Sequence, residues 1–352
     1  MGYSDSVIKC HAPLLHGLGI TGKGVKVAIM DTGIKEHPDL FGRVVFKANY
    51  TDDDNGDMQD VTDYFGHGTH VAGIIAACGP DLVGMAPGSL LYVYKVVEKN
   101  GACNQLRLAQ AIRDAVSQGV HIIHMSLSGP EHDSVHDAIK AAVAANILIV
   151  AAAGNDGDGN YTTDEKGYPG AYPEVVCVGS TYADYSKISF FSDSNDELDL
   201  VAPGELVNSC WIDGGYKQLN GTSMAAPHVT GAAALLQEQF MQIRKRYMTE
   251  LELFKAICEN TMPLPITEVP KTAQGNGRLI LKGIPPIPDI EEISDREAIY
   301  GLVEMGVFDS PAYWIGLCDK FLSDPVKYAD FRFVSLGFIK CYHHMLELMY
   351  YG

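Results

Sequence analysis

The stretch Gly221-Thr222-Ser223-Met224-Ala225-Ala226-Pro227 puts a serine in a glycine-led turn just ahead of a run in which Val229, Ala232, Ala233 and Leu236 recur at helical spacing. Ser223 therefore falls at the start of a helix. There, unpaired N–H groups and the positive end of the dipole favour negative charge developing beside its hydroxyl. A serine hydroxyl needs a base before it can act as a nucleophile. A matching base stands upstream in Gly66-His67-Gly68-Thr69-His70-Val71-Ala72-Gly73. A carboxylate able to orient that base ends the apolar run Val25-Lys26-Val27-Ala28-Ile29-Met30, at Asp31-Thr32-Gly33. Taken singly, an aspartate after a strand is a turn residue, a histidine opening a helix is a cap, and Gly-Thr-Ser is a turn. Together, in the order Asp31, His67, Ser223, they describe nucleophilic catalysis by serine.

The 352 residues suit one large domain with a smaller unit. A formal net charge of −18, from 44 acidic and 26 basic side chains, argues against nucleic acid or an anionic membrane as partner. No segment approaches the ~20 apolar residues of a membrane span. Met1-Gly2-Tyr3-Ser4-Asp5 lacks the basic and apolar pattern of a signal peptide. The eight cysteines (10, 78, 103, 177, 210, 258, 318 and 341) form no CxxC pair, and Cys78 and Cys177 fall in apolar helix and strand patterns. The expectation is reduced thiols in the cytoplasm.

Strand-like runs at 25–31, 89–97, 121–127, 147–154 and 175–180 alternate with helical stripes, one through Val71, Ile74, Ile75 and Cys78, another through Val135, Ala138, Ile139, Ala142 and Val143. This predicts an α/β protein whose mostly parallel central sheet lies between two helix layers, with its chemistry at the carboxyl ends of the strands. Thr249 and Glu252 read as a capping box opening the last helix of a domain spanning residues 1–283. Residues 284–289, Ile-Pro-Pro-Ile-Pro-Asp, read as a stiff linker to a small helical module over 290–352. That module would open on a second capping box (Ser294, Glu297) and contain an N-cap at Ser310-Pro311. Its expected roles are packing or homo-oligomerisation, with targeting or self-regulation as the alternative.

The motifs Asp31-Thr32-Gly33, His67-Gly68-Thr69-His70 and Gly221-Thr222-Ser223-Met224-Ala225 resemble those of the subtilisin-like serine proteases (subtilases), over about residues 7–283. The resemblance implies a three-layer subtilisin-like fold and a serine endopeptidase working on polypeptides through an acyl-enzyme, with no cofactor for catalysis. It makes Asn155, in Gly154-Asn155-Asp156-Gly157, the side-chain donor to the oxyanion beside the Ser223 N–H. It places an extended substrate along Ser126, Leu127, Ser128 and Gly129, with Gly101, Ala102 and Cys103 as the opposite wall. The pocket for the residue before the scissile bond would lie between Ser126–Gly129, Ala152 to Asn155 (with Gly154) and Gly167. These residues are small or neutral, with no buried acid at the base to select Arg or Lys, so large apolar or aromatic side chains are expected there.

The resemblance also raises a structural Ca²⁺ or Na⁺. Asp39, in His37-Pro38-Asp39, matches a carboxylate of a tight calcium site, but the completing loop Cys78–Val83 is about two residues short and poor in oxygen. A weaker cation site would use the carbonyls of Gly170, Tyr172 and Val175 facing Glu197 and Asp199. The acidic stretch 52–57 lacks the first and last EF-hand ligands, having Thr51 and Thr62 there, and reads as a solvated loop. With the missing signal and the cysteine content, it resembles the intracellular subtilisins of spore-forming bacteria. Their short inhibitory N-terminal extension is not visible, since residues 1–9 align with the mature start. A catalytically silent scaffold that binds a protein partner is a rival reading, against which all four catalytic groups are present. A narrow processing protease is another.

Overall fold

Strands apolar on both faces need a helix layer on each side, and the chain arranges them so. The computed structural model describes residues 2–284 apart from 267. Helices α1 (Asp5–Lys9) and α2 (Ala12–Gly17) precede β1 (Lys26–Asp31), β2 (Val44–Asn49), α3 (His67–Ala76), β3 (Leu90–Lys95), α4 (Gln105–Ser117) and β4 (Ile122–Met125). Next come α5 (Asp133–Ala144), β5 (Leu148–Ala152), β6 (Val176–Thr181), β7 (Leu198–Pro203) and the antiparallel pair β8 (Val207–Cys210) and β9 (Tyr216–Leu219). The described chain closes with α6 (Thr222–Arg244), α7 (Glu250–Glu259), β10 (Thr261–Met262), α8 (Lys271–Gln274) and β11 (Arg278–Leu279).

The large sheet has the order β10-β11-β7-β6-β5-β4-β1-β3-β2 and is parallel except where β10 joins β11. From β1 the strands fan out both ways, so the carboxyl end of β1 is a switch point of the topology. Alternation along β1 divides its side chains between the layers. Ala28 and Met30 join the core under α4 and α5, leaving Val27, Ile29 and Asp31 for the face that α3 covers. Nearly all of α6 is buried from Thr222 to Glu238, with Ala225, Ala226, Ala232, Ala233 and Ala234 letting it lie close to the sheet.

All five expected strands form, with ends shifted by one or two residues. The sequence reading missed β2, whose inward and outward residues alternate, and β7, which Asp199 interrupts. Cys78 is a correction: α3 ends at Ala76, and Cys78 is exposed on the loop beyond it, its N–H donated to the Asp39 carbonyl at 2.7 Å. Pro80, shortly beyond, cannot extend a helix. The stretch 52–57 is also only partly solvated. Asp53 is buried, 3.3 Å from the buried Lys95 ammonium, because that lysine needs a counter-charge. The Thr249–Glu252 capping box forms, although α8 follows α7. Cys10, Cys78, Cys103, Cys177, Cys210 and Cys258 are free thiols. Ile284, assigned to the linker by composition, is buried and donates its N–H to Gln239. The rest of the linker, the module over 290–352 with both its helix starts, its oligomer contact, and Cys318 and Cys341 lie outside the described residues.

Glu238 fastens α6 to the loop entering β1. One carboxylate oxygen accepts the N–H groups of Thr21, Gly22 and Lys23 at 2.6, 2.6 and 2.9 Å. Removing it leaves three donors without a partner at a buried seam. Glu238→Ala, made in a Ser223→Ala background to prevent autolysis, should lower stability by about 3 kcal/mol in urea unfolding. Glu238→Gln should recover part of that loss.

Candidate active site

Asp31 ends β1 fully buried, with Oδ1 accepting its neighbour's N–H (Thr32, 2.7 Å) and the His67 ring at 2.7 Å. Since Oδ1 is an acceptor, Nδ1 of His67 carries the proton and Nε2 is the basic nitrogen. Burial alone would lower the imidazole pKa. The Asp31 charge and hydrogen bond, with the Asp63 charge behind them, outweigh burial and raise it.

Asp63, which the sequence reading did not single out, organises this turn. Its Oδ1 accepts the Thr32 hydroxyl and the Phe65 and Gly66 N–H groups at 2.9, 2.9 and 2.8 Å. Its Oδ2 accepts the Thr69 N–H and hydroxyl at 2.9 and 2.7 Å. One carboxylate thus takes up the Gly66 and Thr69 N–H groups at the start of α3, while the Gly68 N–H goes to the Thr32 hydroxyl at 2.9 Å, tying the helix to the turn after β1. The available signal was an acid just ahead of a glycine-led helix start, Asp63-Tyr64-Phe65-Gly66-His67. Lys95 braces the same turn, donating to the Thr32 and Thr62 carbonyls at 3.0 and 2.9 Å.

Ser223 lies in the first turn of α6. Pro227, four residues on, has no N–H to give the Ser223 carbonyl. That carbonyl instead accepts the Ser126 hydroxyl at 2.8 Å, just beyond β4. The chain of bonds continues inward: His124 Nε2 meets Ser126 Oγ at 2.8 Å, and Thr230 Oγ1 meets His124 Nδ1 at 2.7 Å. Burial pushes His124 down to about 3, so it serves as a neutral link. The Ser223 hydroxyl donates to the Ser126 carbonyl at 3.4 Å, and in this rotamer it makes no bond to His67. Asn155, just past β5, has its Oδ1 held by the Thr222 N–H at 2.9 Å and hydroxyl at 3.1 Å. Asn155 is exposed, and its side-chain NH₂ is not used in those two bonds.

The expected cleft residues fall in two groups along the chain. Gly129 and Tyr168 exchange N–H···O bonds of 2.9 Å, carrying the segment from Ser126 across to the Gly167 loop. A β-carbon on Gly167 would stand 2.2 Å from Ser128 Oγ and 2.7 Å from the Ala153 carbonyl, so glycine is required there. Gly154 lies 3.2 Å, by the same measure, from Ser128 Oγ. Gly101 and Ala102 are exposed in a turn closed by the Glu98 N–H on the Ala102 carbonyl at 2.8 Å. A buried acid that the sequence reading did not single out stands beside Gly154: Asp193 is 1 % exposed and packs against that glycine. It comes from the segment before β7, which the strand pattern did not reveal.

The cation residues behave differently at the two positions. Asp39 accepts the Tyr216 hydroxyl, and the ligating atoms beside it belong to the His37 ring and the Cys210 thiol. Nitrogen and sulfur donors do not make the oxygen cage of calcium, so the tight site does not fit. At the other position Asp199 accepts the Cys177 N–H at 2.9 Å, and the Tyr172 carbonyl accepts the Val175 N–H at 3.0 Å. Burial, opposed by that Cys177 bond but aided by the Glu197 charge, pushes Asp199 up to about 7. Two acids in mutual repulsion fit a cation better than the Asp39 cluster does.

The sequence model of the Subtilase family matches residues 22–279. The chain is a subtilase. It is a serine endopeptidase, and subtilase catalysis needs no cofactor. The intracellular serine protease of Paenibacillus polymyxa is 46% identical to this subtilase over 286 residues, 80% of this chain and 86% of that one. The major intracellular serine protease of Bacillus subtilis is 44% identical over 275 residues, 77% of this chain and 85% of that one. A subtilisin from Bacillus pumilus is 41% identical over 238 residues, 66% and 83% of the two chains. Among the described residues of this subtilase, no helix is long and apolar enough to cross a membrane.

Asp63 never reaches the cleft, so its removal should act through the placement of His67. Asp63→Ala should lower kcat/KM by about 10²-fold, the scale of a small misplacement of a reacting group. Asp63→Asn, which keeps one acceptor, should fall between it and the parent on a chromogenic peptide.

Proposed function

We propose that Asp31, His67 and Ser223 are the catalytic triad of this endopeptidase, and that Asn155 and the Ser223 N–H form its oxyanion hole. The observation that carries this reading is the 2.7 Å bond from His67 Nδ1 to Asp31, which reserves Nε2 as the base. Rotation of the Ser223 side chain off the Ser126 carbonyl presents its hydroxyl to that nitrogen. Such bonds are often loose without substrate. Nε2 takes the Ser223 proton as Oγ attacks the peptide carbon, and the Asp31 carboxylate stabilises the imidazolium. The Asn155 amide and Ser223 N–H bind the oxyanion, and the imidazolium then protonates the departing amine. Water, activated by the same nitrogen, releases the acid and restores Ser223.

Substrate would lie extended between Ser126–Gly129 and Gly101–Ala102, with the preceding side chain entering the space bounded by Ala152, Gly154 and Gly167. Small walls favour large apolar or aromatic groups there and broad cleavage. The names of the relatives and six free thiols support an intracellular place of action. A structural Na⁺ or Ca²⁺ belongs at the Gly170, Tyr172 and Val175 carbonyls with Glu197 and Asp199. Either ion should raise the melting temperature of the Ser223→Ala protein, and less so after Asp199→Asn.

Stoichiometric labelling by a fluorophosphonate, lost in Ser223→Ala, tests the nucleophile. That variant should lose about 10⁶ in kcat, a figure taken from subtilisin itself. Labelling without turnover of unfolded casein would mark a narrow processing enzyme, and absence of labelling a silent scaffold. Peptides carrying Phe, Leu, Lys or Glu before the scissile bond should rank with Phe and Leu ahead, and a Lys preference would overturn the pocket assignment. His67 must be neutral to accept a proton, and the Asp31 charge and hydrogen bond outweigh burial to raise its pKa, so kcat/KM should rise with pH through a value above that of an ordinary histidine. Asp31→Asn should move that limb downward and cut kcat by about 10⁴.

A further inference from the structure

The buried carboxylate of Asp193 is not used by the chemistry above, yet it touches the chain on both sides of Asn155. Its own N–H donates to the Gly154 carbonyl at 3.3 Å, and its Oδ1 accepts the Asp156 N–H at 2.6 Å. Oδ2 presses on Gly154 so closely that a β-carbon there would stand 1.9 Å away. Gly154 itself has φ +125°, a conformation that favours glycine. The segment bearing Asp193 is fixed in turn. Ser192 Oγ accepts the Ser180 N–H of β6 at 3.0 Å, and Ser194 donates its N–H and hydroxyl to Glu165 at 3.0 Å each.

We infer that Asp193 is a positioning residue for the oxyanion amide, gripping the peptide groups before and after Asn155 so that its NH₂ is aimed into the cleft. The inference rests on the role proposed for Asn155. Two holds on this residue then act together: Thr222 fixes the side-chain oxygen, and Asp193 fixes the backbone. An oxyanion donor works only if it is in place before charge develops, and an exposed loop residue has no packing of its own to keep it there. Burial pushes the Asp193 carboxyl up to about 7, the Asp156 N–H bond opposes that, and the Asp156 and Glu165 charges add to it. The group therefore acts as a hydrogen-bond acceptor of fixed length, not as a permanent charge, and a neutral amide of the same shape can replace it.

The test uses the full chain, with active sites counted by fluorophosphonate so that misfolded protein does not enter kcat. Asp193→Ala should lower kcat roughly tenfold or more with KM within about twofold, because the amide acts on the transition state and not on bound substrate. Asp193→Asn should restore kcat to within about twofold of the parent. Asp193→Ser, too short to reach the Asp156 N–H, should repeat the alanine result and serves if the alanine protein does not fold. In an Asn155→Ala background, Asp193→Ala should cost almost nothing further, since the group it aims is gone. Losses that multiply in the double variant, an asparagine as damaging as alanine, or an unchanged kcat beside a crippled Asn155→Ala would each overturn the inference while leaving the oxyanion assignment intact. An unchanged kcat in Asn155→Ala alone would overturn both.

Discussion

Adjacent strands β1, β4 and β5 must end at one level, and on that register everything in the cleft depends. Val27, Ala28 and Ile29 pair with Ile122, Ile123 and His124, and Ile122 through Met125 pair with Leu148 through Ala151. Carried past their last pairs, the three strands bring Asp31 level with Ser126 and Ala152, and Asn155 follows three residues further along. A one-residue slip of β1 would turn Asp31 toward α4 and α5 and away from His67. Apolar side chains on both faces penalise such a slip, so the geometry of the polar groups is set by packing that has no polarity of its own.

A second constraint acts across the layers. Helix α6 meets the sheet at its polar end through groups that ordinary helix hydrogen bonding would have consumed. Pro227 withholds an N–H, the Ser223 carbonyl becomes available, and Ser126 takes it up, backed by His124 and Thr230. Thr222 meanwhile spends its N–H and hydroxyl on Asn155. Helix α6 is thereby joined to the ends of both β4 and β5. The proline costs one helical hydrogen bond and gains a tie between helix and sheet.

Much of this was legible in sequence because its signals are local. Short apolar runs marked β1, β3, β4, β5 and β6, and polar residues beside glycines marked two strand ends, at Asp31 and Asn155, and two helix starts, at His67 and Ser223. What escaped depends on partners distant in the chain. Asp63 looks like a loop acid until Thr32 and Thr69 are brought to it, and Asp193 until Gly154 and Asp156 are. Asp53 looked solvated because nothing local reveals that Lys95 is buried. Cys78 continued a helical stripe by spacing alone, and spacing does not register the chain turning away at Ala77. Strands β2 and β7 were hidden by the charged or polar residues they carry at the sheet's flank.

The tie between Glu238 and the loop at Thr21 to Lys23 joins segments separated by more than two hundred residues. Contacts of that span form late, since a long loop must be closed before they return any stabilisation. During synthesis, α6 leaves the ribosome after every parallel strand from β1 to β7 has already emerged. A nascent chain can therefore hold a nearly complete sheet and still lack Ser223.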